Sequence, residues 1–286
     1  MHQILSLSND AYEEIFQEID ISGLVEKRGI IYVWTNKNLK SRNLEIKIRD
    51  QLGIEQKLLT KKEILELEPN LNPVFDAGVL YDYAMHARDP HGILKNLFKL
   101  FIKKGGKFIQ TDIKNLEQIS INETVIRSES EKYKFEKSVI ASGAFSKKLT
   151  DQLGENIPLD TERGYHVHFK NQDHLISRPV IFLDRGFGLT PMNQGLRAVG
   201  TVELGGLKNP PSEKRIQYII NCAKELLPQL KDHHDEWLGF RPTLPDFLPI
   251  LGPSLKNKNI IYAFGHQHLG WTLGAITGKI ISGVVA

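Results

Sequence analysis

The sequence holds one cysteine, Cys222, in 286 residues, which excludes an intrachain disulfide framework and thiolate metal clusters and fits a reducing compartment. No apolar run approaches the ~18 residues of a membrane span, and the opening MHQILSLSND has neither a basic region nor an apolar stretch of signal-peptide length. Neither sign of charge dominates. The 37 Lys and Arg against 34 Asp and Glu leave +3, and the signs alternate along the chain, so there is no electrostatic footprint for nucleic acid. Internal repeats and low-complexity tracts are absent too. What is present is 41% hydrophobic residues, enough to bury a sizeable core, in a length that predicts two domains or one large α/β domain. Cytoplasmic placement is the expectation, and Cys222 reads as a helix residue without a chemical role.

Periodicity supplies the elements. Asn9 or Asp10 is positioned to cap a helix through Tyr12, Ile15, Phe16 and Ile19, and Ile30 to Trp34 read as a strand. Leu44, Ile48 and Leu52 mark a second helix, and Thr60 with Glu63 forms a capping box for a third that ends before Pro69. After the strand-like AGVLYDY, Asp89 caps and Pro90 starts a helix with an apolar stripe of Ile93, Leu94, Leu97 and Phe101, stopped by Gly105 and Gly106. Residues 107–137 predict short strands with turns at Asn122-Glu123 and at 128–131. A strand end at 138–140 then leads through small residues to a helix near Ser146. Turn residues at 184–186 and 193–195 divide residues 165–203 into an antiparallel meander, followed by a helix capped by Ser212 with Ile216, Ile219, Ile220, Ala223 and Leu227 on one face.

Two segments carry the chemistry. In GHQHLGWTLGAITGKIISGVV, Gly270, Gly274 and Gly278 stand four apart in a helix, each costing about 1 kcal/mol relative to alanine. Either a neighbouring backbone packs closely there or a flat ligand lies against the helix start, and the loop 265–269 aims helix N–H groups at an anion or a developing negative charge. In GFRPTLPDFLPILGP, Arg241 offers a planar fork for a carboxylate, its alternative being a surface salt bridge, while Asp246 reads as a turn cap. His166/His168 and His266/His268 share an H-x-H spacing that puts two rings on one face of a strand. No Cys, Asp or Glu stands beside either pair to complete a ligand set, so no metal is expected. His233 and His234 read as solvated loop residues, and Gly186-Phe187-Gly188 is a partial glycine motif with no helix after it.

VIASGAFS, ERGYHVHF, GLRAVGTVELGG, GFRPTLPDFLPILGP and FGHQHLGWTLGAITG occur in the order found in the D-amino-acid oxidase/dehydrogenase family of FAD flavoproteins. The chain resembles the bacterial D-amino-acid dehydrogenases, from about Leu5 to its end. The resemblance implies that Ala141, Ser142 and Gly143 pack against FAD, that Gly265, His266, Leu269, Gly270, Trp271 and Thr272 lie at the flavin's pyrimidine edge, and that Arg241 binds the substrate carboxylate. The family's opening strand, G-x-G-x-x-G turn and helix have no counterpart here. The implied chain is therefore a truncated gene or fragment, or one completed by a partner chain that supplies the nucleotide-binding unit.

The implied fold is α/β (α+β), an incomplete FAD/NAD(P)-binding-type domain interleaved with an antiparallel-sheet substrate domain. Residues 1–87 and 161–240 are expected in the substrate domain, 88–160 and 241–286 in the FAD domain. The implied reaction is oxidative deamination of D-amino acids to 2-oxo acids and ammonia, with quinone or oxygen as electron acceptor, in the cytoplasm or peripherally at the inner membrane. Alternatives are a secondary-amine (sarcosine, proline or hydroxyproline) oxidase or dehydrogenase of the same superfamily, and an inactive fragment or structural subunit.

Overall fold

The computed structural model describes residues 1–120 and 123–286, and its first elements are the helices α1 (His2–Leu5) and α2 (Ser8–Phe16). Neither Asn9 nor Asp10 caps α2: the helix has already begun at Ser8, with Leu7 in the cap position and no side-chain cap, and it stops before Ile19. The strands β1 (Val25–Glu26) and β2 (Ile30–Trp34), helix α3 (Leu39–Gln51), strand β3 (Lys57–Thr60), helix α4 (Lys61–Leu67), and strands β4 (Ala77–Tyr81) and β5 (His86–Ala87) follow. The capping box is formed in full: the Glu63 N–H donates to the Thr60 hydroxyl, and the Thr60 N–H donates to the Glu63 carboxylate. In α3 no residue is buried, and Leu44, Ile48 and Leu52 are exposed. Spacing marks a helix face, but it does not say what covers that face.

Asp89 accepts the Gly92 N–H, and Pro90 opens α5 (Pro90–Lys103), since the missing proline N–H would have been unpaired there in any case. Of the apolar stripe of α5 only Ile93 is buried; Leu94, Phe98, Phe101 and Ile102 are exposed. Strands β6 (Asn115–Ser120), β7 (Glu123–Arg127) and β8 (Lys132–Phe135) form a three-stranded antiparallel sheet. The expected turn at 128–131 is closed by the Ser128 N–H on the Glu131 carbonyl. The turn placed at Asn122 falls outside the described residues.

The rest of the chain runs β9 (Ser138–Ile140), α6 (Ser146–Gln152), β10 (Asp160–Phe169), β11 (Val180–Phe182), β12 (Phe187–Met192), β13 (Gly195–Leu204), α7 (Glu213–Leu226), β14 (His234–Thr243), β15 (Ile250–Pro253), β16 (Ile260–Phe264) and α8 (Gly270–Val285). Eight strands make the main sheet, in the order β14-β10-β13-β12-β11-β2-β4-β3. The expected meander holds only for β11, β12 and β13. β10 lies between β13 and β14 instead of beside β11, and β11 pairs in parallel with β2; pairing over such sequence distances follows from packing and leaves no local turn signal. Ile219, Ala223 and Leu226 of α7 pack with Tyr165, Val167 and Phe169 of β10 in the largest core. Ser212 precedes α7 without a side-chain cap, its N–H donating to the Tyr165 hydroxyl.

A second sheet, β15-β16-β9, has β16 parallel to β9 and antiparallel to β15. Its core joins Ile140, Ile260, Tyr262 and Phe264 to Leu159 and Leu244 at the ends of the main-sheet strands. Leu273, Ala275 and Ile276 of α8 pack against Ala11 of α2, so the last helix is held by the first residues of the chain. The architecture is mixed α/β. Among the described residues no helix is long and apolar enough to cross a membrane.

Candidate functional site

Strand alternation builds the site. On β10 Tyr165, Val167 and Phe169 are buried in the core they share with α7, so Gly164, His166 and His168 project from the opposite face. There Gly164 stands opposite Gly239, His166 opposite Trp237 and Glu162 opposite Arg241 of β14, and His168 stands opposite Arg197 of β13. This face floors a cavity of about 1720 Å³ whose wall continues through Gln267, His268, Gly270, Trp271 and Thr272.

Arg241 lies flat over the β10 backbone. A Cβ at Gly164 would stand 2.2 Å from its Nη2 and 2.3 Å from its Cζ, so only glycine at 164 leaves the guanidinium room. Its Nη1 donates to the Thr201 carbonyl at 2.9 Å. That carbonyl is aimed by a bulge, in which Thr201 and Val202 together face Gly164 and Thr201 adopts φ 62°. Among the described residues Arg241 has no ion-pair partner, so the surface salt bridge that composition allowed is not what this arginine forms. Burial lowers its pKa, and Glu162 on the adjacent strand works against that shift. Asp246 accepts the Leu248 N–H at 3.0 Å, the turn role read from the sequence.

The start of α8 closes the cavity beside Arg241. It carries no side-chain cap, and just before it Gln267 is held at φ 51° with 7% exposure and a buried Nε2 that has no partner among the described residues. His268 lies at the cavity wall, where partial desolvation and then the Arg241 charge lower its pKa. Gly270, Trp271 and Thr272 line the cavity, whereas Ala141, Ser142, Gly143, Gly265, His266 and Leu269 do not. Those six follow the adjacent carboxyl ends of the parallel strands β9 and β16, where Ile140 is paired with Tyr262, the edge at which open parallel sheets bind ligands. Gly265 has a packing reason of its own: its φ is +92°, and a Cβ would meet Leu244 Cδ1 at 2.6 Å. The His266 ring is tied to the Thr277 hydroxyl at 2.9 Å, and burial lowers its pKa. The H-x-H pair at 266 and 268 therefore sits on a helical turn and not on a strand.

The glycine stripe of α8 meets no close backbone. A Cβ at Gly270 would touch only His266 Cβ at 3.8 Å, one at Gly274 only the Tyr12 hydroxyl at 3.3 Å, and one at Gly278 nothing within 4 Å. Tyr12, which donates to the Trp271 carbonyl and has its pKa raised to about 12 by burial, ties this helix start to α2.

At the other end of the floor, the His166 ring stacks on Trp237 with centroids 4.8 Å apart and lies 4.9 Å from His168. The Arg197 Nε donates to His168 Nε2 at 3.0 Å. Desolvation, then the Arg197 charge and His168, push the His166 pKa down to about 3. H-x-H spacing here does place both rings on one strand face, and their partners are an arginine and an indole. His233 donates from Nε2 to the Glu236 carboxylate at 3.0 Å, and His234 lies exposed in β14. Gly164, Thr201 and Gln267 were not singled out from the sequence; ERGYH contains the first, but no local pattern shows that an arginine of another strand lies on it.

A family model described as DAO, FAD dependent oxidoreductase, matches residues 1–283. The D-amino-acid oxidase of Bradyrhizobium diazoefficiens is 29% identical over 276 residues, covering 95% of this chain and 66% of that protein. The D-amino acid dehydrogenase of Vibrio atlanticus is 28% identical over 295 residues, covering 100% of this chain and 70% of that protein. The chain thus spans about two thirds of the length of these curated relatives. Among solved structures, glycine oxidase from Geobacillus kaustophilus shares the fold with a TM-score of 0.87 and 23% identity, covering 99% of this chain and 77% of that one. For L-proline dehydrogenase from P. horikoshii the TM-score is 0.85 at 19% identity, covering 99% and 78%. With nearly the whole of this chain matching the family model, the chain belongs to the DAO family of FAD-dependent oxidoreductases.

Proposed function

We propose that this chain carries the substrate site and the flavin-facing wall of a D-amino-acid dehydrogenase or oxidase, with Arg241 as the group that binds the substrate α-carboxylate. The observation that carries this reading is the Arg241 guanidinium, unpaired with any carboxylate among the described residues and seated on Gly164 in the cavity floor. An arginine fork takes a carboxylate through two parallel N–H···O bonds, and a fork already fixed by the Thr201 carbonyl loses little freedom on doing so. The names of the curated relatives support D-amino acids as the substrate class.

Three features of the cavity fit a flavin. Its volume exceeds the ~300–1,000 Å³ of an ordinary small-molecule site, the buried Gln267 Nε2 is a donor without a partner, and α8 begins without a side-chain cap. Gly270, Trp271 and Thr272, with Gln267, are the residues that would hold the flavin's pyrimidine edge, where a helix start favours negative charge. FAD, when bound, supplies the two-electron acceptor for oxidation of the substrate Cα–N bond. Arg241 fixes the carboxylate end of the substrate, and the Trp237 indole over Gly239 forms part of the wall beside it. No general base is required of the chain when the amine enters neutral.

In this reading the main sheet is the substrate layer, and the β15-β16-β9 sheet with α5, α6 and α8 is the cofactor layer. The pyrophosphate of FAD needs a Gly-rich strand–turn–helix that is not among these 286 residues. Strand β9 is an edge of its sheet with Val139 42% exposed, and the apolar stripe of α5 is open. Both surfaces suit such a unit, supplied in cis or by a partner chain. Quinone or oxygen is the electron acceptor in this reading, and the single buried Cys222 supports cytoplasmic placement.

Binding of a short monocarboxylate such as valerate to the FAD-loaded protein, followed by calorimetry, tests the assignment. Arg241→Met is expected to weaken it by about tenfold or more, and Arg241→Lys to restore only part, because lysine keeps the charge but not the fork. Equal affinity in wild type and Arg241→Met removes Arg241 from the site.

A further inference from the structure

The cavity floor carries a second cation that the reading above does not use. Arg197 of β13 shares the face of Gly164 and His166, and its Nε is committed to His168 Nε2. Its Nη groups have no hydrogen-bond or ion-pair partner among the described residues. The acidic side chains that line the cavity are otherwise engaged: Glu203 pairs with Arg163 and Tyr165, Asp235, 67% exposed, lies 3.9 Å from Lys170 and acts on His168 only through its charge, and Glu236 contacts His233. His168 accepts from Arg197 through Nε2, so the ring is neutral with its proton on Nδ1 and acts as a peg for the guanidinium. His166, stacked between this pair and Trp237, adds no charge. One end of the floor therefore presents Arg241 and the other presents Arg197, each a guanidinium without a counter-ion, with an aromatic surface between them.

Resting on the assignment of Arg241 above, we propose that Arg197, positioned by His168, binds a second carboxylate at the far end of the substrate, and that the site prefers amino acids with an acidic side chain. The geometry sets the length. Gly164, under the Arg241 guanidinium, and His168, beside Arg197, are four residues apart on β10, about 13 Å of strand. Two guanidinium–carboxylate pairs at ordinary hydrogen-bond distances take up much of that span, and a chain of a few methylenes fills the remainder across the Trp237 indole. A side chain ending in an amide or a methyl group would reach Arg197 without neutralising it, so the discrimination is between acidic substrates and their neutral isosteres.

The test is a titration of the chain itself, read on the His166 and His168 ring signals and the Trp237 indole signal by NMR. The probes are the dicarboxylates glutarate, adipate and pimelate, each against the monocarboxylate of equal carbon number. At least one dicarboxylate is expected to bind about tenfold or more tightly than its monocarboxylate, as one added charge-assisted pair requires. Arg197→Gln abolishes that ratio, bringing dicarboxylate affinity down to that of the monocarboxylate. His168→Phe lowers the ratio and His168→Gln, which keeps an acceptor, restores it; a purely structural role for His168 would not be rescued this way. A ratio near one for all three pairs in wild type, or a ratio untouched by Arg197→Gln, overturns the proposal. Arg241→Met reports separately on the α-carboxylate assignment. If it weakens mono- and dicarboxylates alike while the ratio in wild type is one, Arg241 keeps its role and only Arg197 loses its own.

Discussion

Gly164→Ala is the smallest change that reaches the proposed carboxylate site without touching a charged group. The added methyl would stand 2.2 Å from Arg241 Nη2 and 2.3 Å from Cζ, so the guanidinium has to retreat by more than an ångström to reach ordinary contact. That displacement breaks its alignment with a substrate carboxylate and strains its bond to the Thr201 carbonyl. A bidentate charged pair is worth about 1.5–3 kcal/mol, so kcat/KM for a D-amino acid in the FAD-loaded protein should fall by about 10- to 150-fold. Stability should barely change, since Gly164 has no positive φ and replacing a strand glycine by alanine gains about 0.5–1 kcal/mol that offsets the crowding. The assay compares a D-amino acid with an amine that lacks the carboxylate, in wild type, Gly164→Ala, Arg241→Met and the double variant. In the Arg241→Met background Gly164→Ala should cost nothing further, because the two act through one group. The reasoning is refuted if Gly164→Ala leaves kcat/KM for the amino acid unchanged, or if the amine loses as much.

Two other outcomes follow from the same geometry. Gly270→Val adds a Cβ that has only His266 Cβ within 4 Å apart from the helix's own backbone, so the thermal midpoint should hold while FAD content of the purified protein drops; unchanged FAD content would mean the α8 glycines do not face the cofactor. His166 is held neutral to a pKa of about 3 against ~6.5 when unfolded. Between those values the unfolded state binds the extra proton, so its contribution is fully present above pH 6.5 and is lost as pH falls toward 3, at up to about 1.4 kcal/mol per pH unit. Urea denaturation at pH 7 and pH 5 should show a smaller drop for His166→Phe than for wild type, and equal drops would contradict the assignment of that slope to His166.

What could be read in the sequence was what is decided within a few residues. The Thr60–Glu63 box and the Asp89–Pro90 start are closed by hydrogen bonds that span three positions, and Arg241 stood out because glycine, aromatic and proline surround it. The bed beneath Arg241 was not legible, since Gly164 and the Thr201 bulge come from two other strands and meet it only once β10 is inserted between β13 and β14. The same strand order breaks the expected meander, and the parallel pairing of β11 with β2 makes the sheet mixed. Helical periodicity correctly placed α3 and α5 but not their environments, because the stripe of Leu44, Ile48 and Leu52 and most of that of α5 remain exposed. Asn9 and Asp10 failed as caps because α2 has already begun at Ser8, without a side-chain cap. The histidine pair at 166 and 168 was assigned to one face for the right reason, alternation on a strand. What it partners, Arg197 and Trp237, is again contributed by neighbouring strands.

The central claim is that Arg241 reads the substrate's carboxylate, and substrate discrimination measures it most directly. In the FAD-loaded protein, kcat/KM for a D-amino acid divided by that for the corresponding amine without a carboxylate should fall by about tenfold or more on Arg241→Met, with flavin content unchanged. A ratio equal to that of wild type, whether because both substrates suffer alike or because neither does, would contradict the account.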